Sequence, residues 1–344
     1  MGSIIYPQLL IFSEQNDMST TLVMRHLVLA GINVYRINDS DELSVVSLDP
    51  LLPGESLLHV GRQVISLARV KSYWYRRGDF QWADHNIMIA PLHTSHLQTL
   101  RKTMLQEREV WLQFLGNYLS TLPALTRFGA RHINKPEVLA RAEDVGILTP
   151  QTLITGDKRA LKQFVQAHGQ VITKPLHSMP FFDANDGSML AFYTKEVDAE
   201  VVERLPDKFS PSLFQKYISK KYEIRVFYLR GQCYAMAILS QGKESTTLDF
   251  RMIQKEGRAR SVPYTLPPVI EEKIRSLMDS LVLQTGSLDF ILSTSGEYCF
   301  LEVNPTGQLG MTSVPCNYHL ESRIANALMQ DIEQSKDKVH ETLH

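Results

Sequence analysis

Near the C-terminal end of the chain, two acidic side chains are spaced so that a hairpin would set them face to face. The run Ser287-Leu288-Asp289-Phe290-Ile291-Leu292 is followed by Thr294-Ser295-Gly296-Glu297 and then by Tyr298-Cys299-Phe300-Leu301-Glu302-Val303-Asn304. A two-residue turn at Ser295-Gly296 sets Thr294 against Glu297, and counting outward puts Asp289 opposite Glu302. Strand alternation adds Asn304 to the same face and turns Leu288, Phe290, Leu292, Leu301 and Val303 toward a core. Opposed carboxylates repel, and Ile291 and Phe300 beside them bring no charge. A divalent cation resolves the conflict. An all-oxygen set of Asp289, Glu302 and Asn304 suits Mg2+, which keeps waters and completes its shell with substrate phosphates. Two alternatives stay open: one carboxylate pairs with a lysine, or the turn is longer and the register differs.

A metal of this kind needs a nucleotide beside it, and several cations sit where strands end or alternate. Lys174 closes the run Val171-Ile172-Thr173 and Pro175 stops that strand, so its side chain leaves a sheet edge toward a cleft; the alternative is a solvated surface lysine. Lys135 opens a helix, where free backbone donors and the dipole favour phosphate. Glu223 and Arg225 alternate on one strand face, either as a cross-strand ion pair or with the arginine placed to stabilise charge on a transferring phosphoryl group. Asp249 and Arg251 show the same alternation and the same ambiguity. His93-Thr94-Ser95-His96 reads as the start of a helix rather than a metal site.

The elements that must carry these residues follow from local pattern. Leu9-Leu10-Ile11 reads as a strand, Ser19 offers an N-cap to a helix stopped by Gly31, and Ile32 to Ile37 is a second strand, so the chain opens as a β-α-β unit. Tyr73-Trp74-Tyr75-Arg76-Arg77-Gly78 could bind a peptide or be an ordinary sheet strand. A long amphipathic helix carries Leu97, Leu100, Met104, Trp111, Leu115 and Tyr118. Asn134-Lys135-Pro136-Glu137 announces a capped helix ending at Gly146. Asp157 and Gly169 bracket another. From Leu213 onward paired strands take over, with a turn at Gly231-Gln232, a helix from about Pro268 to Gln284, and the acidic hairpin.

The totals bound the function. With 344 residues the chain exceeds one core, so two or three lobes are expected. Lys plus Arg number 36 against 37 Asp plus Glu, which gives no global charge reason to bind nucleic acid or an anionic membrane. Cys233, Cys299 and Cys316 lack paired spacing, against a disulfide scaffold or structural zinc and in favour of a reduced, cytoplasmic setting.

In order, these features resemble the ATP-grasp superfamily: Lys135 opening a helix that ends in Gly146-Ile147-Leu148-Thr149-Pro150, Ile172-Thr173-Lys174-Pro175, Phe214-Gln215-Lys216-Tyr217-Ile218, Tyr222-Glu223-Ile224-Arg225-Val226, Leu288-Asp289-Phe290, and Glu302-Val303-Asn304-Pro305-Thr306-Gly307-Gln308. More narrowly the chain is similar to the graspetide synthetases related to the microviridin ligases, and to the grasp-with-spasm peptide maturases through Tyr73 to Gly78 and Pro315 to Glu321. The resemblance implies an α/β ATP-grasp fold. Its parts would be an N-terminal β-α-β pre-ATP-grasp domain at 1–124, a central subdomain at 125–208, a C-terminal subdomain with the Mg site at 209–334, and a tail at 335–344. It implies ATP contacts from Lys135 and Lys174, an adenine hinge at Gln215, Lys216, Tyr217 and Ile218, with Glu223 beside the nucleotide, Mg2+ on Asp289, Glu302 and Asn304, and Arg225 near the γ-phosphate. The implied partners are a ribosomal precursor peptide, with a SPASM-domain protein and a homodimer as further possibilities. One departure is that Leu176 to Asp186 holds no glycine, which leaves a phosphate clamp at Ser178 without its usual loop.

Overall fold

The computed structural model describes the chain apart from residues 1–2, 79–80, 83–93, 129, 131–132, 177–181, 184–188, 191–193, 240–259 and 342–344. His93, Ser178, Asp249 and Arg251 lie outside the described residues. In order the elements are β1 (Ile4–Ile5), β2 (Leu9–Ser13), α1 (Met18–Leu29), β3 (Val34–Asn38), β4 (Glu42–Ser47), β5 (Leu57–Val60), β6 (Gln63–Ser66), β7 (Ser72–Tyr75), β8 (Gln81–Trp82) and α2 (Thr94–Ser120). Next come α3 (Lys135–Asp144), β9 (Thr152–Asp157), α4 (Lys158–His168), β10 (Val171–Lys174), β11 (Phe182–Asp183), β12 (Met189–Leu190), β13 (Lys195–Val197), α5 (Ala199–Arg204) and β14 (Lys208–Lys216). The remainder are β15 (Lys220–Leu229), β16 (Gln232–Leu239), β17 (Arg260–Tyr264), α6 (Pro268–Ser280), β18 (Thr285–Ser293), β19 (Tyr298–Asn304), α7 (Gly310–Cys316) and α8 (Leu320–Glu341). They form two compact units, one of Met1–His132 with Gln308–Ser313 and His319–His344, the other of Ile133–Gly307 with Val314–Tyr318.

In the first unit β2 lies between β3 and β7, parallel to both, which gives the expected β-α-β opening. Leu9, Leu10, Ile11 and Phe12 are all buried, because a strand with parallel neighbours is covered on both faces and tolerates a continuous apolar run. The cap of α1 is Asp17, not Ser19: its carboxylate accepts the backbone N–H groups of Ser19 and Thr20. Asp17 is held there by Arg76, whose Nε lies 3.2 Å from its Oδ2. Burial pushes the Arg76 guanidinium down to about 10, partly offset by Asp17. Tyr73, Trp74 and Tyr75 are buried in β7, and Arg76 directly after the strand is buried in its ion pair with Asp17. Helix α2 buries Leu115 and Leu119 but leaves Leu97 and Met104 exposed. Its 27 residues reach about 40 Å, more than twice the span of the five-residue strands it packs on.

The second unit carries two larger antiparallel sheets, β13-β10-β14-β9 and β17-β16-β15-β18-β19, and the short antiparallel pair β11-β12. Asn134 caps α3 by accepting the Glu137 N–H, with Lys135 and Pro136 in the first turn, and Asp157 caps α4 through the Ala160 N–H. The β15–β16 turn is Arg230-Gly231, one residue earlier than the sequence pattern placed it, since Leu229 pairs with Gln232. Helix α3 packs on β19, and that docking brings Lys135 to the acidic hairpin.

Candidate functional site

The β18–β19 hairpin departs from the expected geometry twice, and the departures cancel. Its loop is three residues long, Thr294-Ser295-Gly296, closed by the Ser293 N–H on the Glu297 carbonyl at 2.9 Å. Gly296 supplies the left-handed position at φ +88° that such a loop needs. Phe290 consequently pairs with Phe300, one step out of the predicted register. A bulge then leaves Leu301 unpaired and restores Asp289 opposite Glu302, Leu288 opposite Val303 and Ser287 opposite Asn304. The bulge sits beside a contact outside the hairpin, the Phe300 N–H donating to the Leu148 carbonyl at 2.8 Å. It also corrects two assignments. Phe300 faces the core against Phe290, with ring centroids 5.3 Å apart and edge to face, a contact worth about 1 kcal/mol beyond area burial. Leu301 stays partly exposed. Bulges re-aim side chains in this way next to functional sites.

Three strands now present one row. Arg225 on β15 pairs with Asp289 on β18, which pairs with Glu302 on β19. Arg225 Nη1 is 3.7 Å from Asp289 Oδ1, and Lys135 Nζ is 3.3 Å from Glu302 Oε2. Each acid thus has a cation beside it. Both alternatives to the metal expectation therefore occur, the longer turn and the pairing of one carboxylate with a lysine, here Lys135, the same residue expected to bind phosphate. Arg225 is buried, and its Nε makes no hydrogen bond. Lys135 Nζ also lies 3.4 Å from the Pro175 carbonyl, next to Lys174 at the end of β10. Lys174 in turn acts electrostatically on Cys299, whose thiol is pushed up to about 12 by burial, with Lys174 a smaller opposing influence and Glu297 a still smaller reinforcing one.

Asn304 continues the row two residues beyond Glu302. Its Oδ1 accepts the Thr306 N–H at 3.0 Å and the Thr306 hydroxyl at 3.2 Å. Among the described residues no group of three or more His, Cys, Asp or Glu is clustered for a metal. Two carboxylates and an amide oxygen on one face nevertheless fit Mg2+, which commonly takes one or two carboxylates and fills its shell with phosphate and water.

The remaining predicted residues lie outside this row. Gln215 is fully buried in β14, pairs with Ile172, and gives its side-chain N–H to the Thr152 hydroxyl at 2.9 Å; its Oε1 makes no hydrogen bond. Lys216 ends β14 exposed, and Tyr217 and Ile218 are partly buried in the short link to β15, where the chain passes from one sheet to the other. Glu223 shares the Arg225 face but is engaged in an ion pair with Lys220. Sequence reasoning missed Lys220, although its spacing three residues before Glu223 was a signal. It also missed the Leu148 carbonyl, for which no signal exists, and the packing of Gly307 against Ser287.

Residues 140–262 match the model of the prokaryotic glutathione synthetase ATP-grasp domain. A glutathione synthetase of Xanthomonas campestris is 31% identical over 138 residues, 37% of this chain; the match spans only 40% of that relative's length. Among solved structures, the macrocyclase MdnC of Microcystis aeruginosa, bound with precursor peptide MdnA, superposes with a TM-score of 0.75 at 24% identity, covering 95% of this chain and 100% of that one. The ATP-grasp ligase PsnB, complexed with minimal precursor, Mg and ADP, gives 0.70 at 19% identity over 96% and 99%. With its two larger antiparallel sheets, and with likenesses that run nearly end to end, the chain has the ATP-grasp fold.

Proposed function

We propose that the chain is an ADP-forming ligase that activates an Asp or Glu side chain of a ribosomal precursor peptide and joins it to a Ser, Thr or Lys side chain of the same peptide. The observation that carries this reading is the row Arg225, Asp289, Glu302 with Lys135 set against its end. A carboxylate reacts poorly with an alcohol or amine because its leaving group is poor; passing the γ-phosphoryl group of ATP to it gives an acyl phosphate that the nucleophile can displace. Lys135 and Lys174 hold the phosphates, and Gln215 to Ile218 line the adenine side with Glu223 nearby. Arg225 offers a rigid planar donor to the transferring charge. Asp289, Glu302 and Asn304 are the residues that would hold Mg2+, whose chemistry there is neutralising phosphate charge. Holding both reacting side chains in one cleft supplies the effective concentration for ring closure.

Peptide-bound neighbours of similar fold support a precursor peptide as substrate. A SPASM-domain partner, a homodimer and a cytoplasmic location belong to the same proposal; among the described residues no helix is long and apolar enough to cross a membrane. A second reading, addition of a free amino acid to a protein or small molecule, is favoured by the glutathione synthetase match over 140–262. A third, a catalytically silent peptide-binding module, gives no reason for opposed acids each beside a cation. The test is to mix the protein with the peptide encoded beside it, ATP and Mg2+, and weigh the product. Loss of one water per ring, abolished in Glu302→Gln, is expected. A heavier product selects the second reading, and unchanged dehydration in Glu302→Gln removes the metal assignment.

A further inference from the structure

The turn that follows the carboxylate row is seated on it by a contact that leaves no room for a side chain. Asn304 accepts the Gly307 N–H at 3.0 Å through its carbonyl, which closes the turn Asn304-Pro305-Thr306-Gly307. Within that turn the Asn304 side chain is fixed by Thr306. Directly across from Asn304 stands Ser287, on the same face as Asp289 two residues further along β18. Gly307 lies over Ser287: a Cβ on Gly307 would sit 2.2 Å from the Ser287 Oγ, 2.4 Å from its Cβ and 3.1 Å from the Asn304 carbonyl oxygen. The Ser287 hydroxyl is buried and makes no hydrogen bond. A buried hydroxyl without a partner is a cost rather than a gain. What the position uses is therefore its small volume beneath the turn.

We infer that Ser287 and Gly307 interlock as positioning residues that set the height of Asn304 beside Asp289 and Glu302. This rests on the reading of those three residues as metal ligands. Any side chain at Gly307 must lift the turn, and because Asn304 is both its first residue and its anchor, the amide moves away from the acids. The Cβ of Ser287 contributes to the clash as much as its hydroxyl, so only a glycine at 287 would make room for an alanine at 307.

The test measures Mn2+ binding to the full chain in the presence of ADP by electron paramagnetic resonance, with thermal unfolding alongside. Gly307→Ala is expected to weaken Mn2+ affinity at least tenfold, and the Ser287→Gly, Gly307→Ala double variant to recover most of that loss. The reverse pattern, in which the double variant is no better than Gly307→Ala or Gly307→Ala binds as the parent does, overturns the interlock. Asp289→Asn separates the two levels: if it leaves Mn2+ affinity unchanged, the metal reading itself fails, whereas loss of binding there with full binding in Gly307→Ala refutes only the interlock. If Gly307→Ala fails to fold while the double variant folds and binds, the steric contact is upheld.

Discussion

Lys135 occupies a position that a metal and a nucleotide would contest, and replacing it with methionine should move two affinities in opposite directions. At 3.3 Å from Glu302, its ammonium gains about 5 kcal/mol of Coulomb energy at an effective dielectric of 20 and about 1.3 kcal/mol in water. Both side chains are about a quarter to a third exposed, 30% and 26%. The net worth of the pair therefore lies near the lower figure, about 1 kcal/mol. A divalent ion entering without nucleotide must displace that ammonium, so Lys135→Met should bind free Mn2+ about fivefold more tightly than the parent. On the proposal that Lys135 holds phosphate, the same variant loses that partner, so its affinity for Mg·ADP should fall by a similar or larger factor. Calorimetric titration with Mn2+ alone and then with Mg·ADP reads both. Tighter binding of both, or weaker binding of free Mn2+, would refute the exchange of Lys135 between Glu302 and phosphate.

Arg225→Lys keeps the charge facing Asp289 but loses the planar fork; phosphate release should slow by about a hundredfold or more, while the unfolding temperature changes little. Asp17→Ala removes the cap of α1 and leaves the buried Arg76 guanidinium without its carboxylate, so urea titration should show a loss of about 3–5 kcal/mol. The Cys299 thiol is raised by burial from 9.0 to about 12. A group raised on folding adds stability that is complete below its unfolded value and is lost as pH climbs toward its folded one. Cys299→Ala should accordingly flatten the alkaline decline between these values by about 1.4 kcal/mol per pH unit, and an unchanged slope in urea titrations across that window contradicts the assignment.

Local chemistry was legible in the sequence where one turn of chain decides it. Asn134 and Asp157 cap their helices through the next few residues, and both are where the pattern put them. Ser19 and Asp17 are equally good caps by type; the choice fell to Asp17, which also meets Arg76 from β7, a contact no local pattern carries. The facing acids illustrate the same division. The period of two sets Asp289, Glu302 and Asn304 on one side, but the true loop is one residue longer and a bulge at Leu301 compensates, neither of which the alternation encodes. The pairing of Lys135 with Glu302 depends on the docking of α3 against β19, which periodicity does not encode. Gly307 was visible as part of a motif, whereas its reason, the side chain of Ser287 beneath it, required coordinates.

The central claim is that an acid side chain of the peptide takes a phosphoryl group before it is joined. Labelling the acceptor carboxylates of the precursor with heavy oxygen and following the label through one turnover tests it directly. One labelled oxygen per ring closed should appear in the released phosphate, with ADP as the nucleotide product. Label retained wholly in the peptide or lost to water, or recovered in AMP, would contradict it.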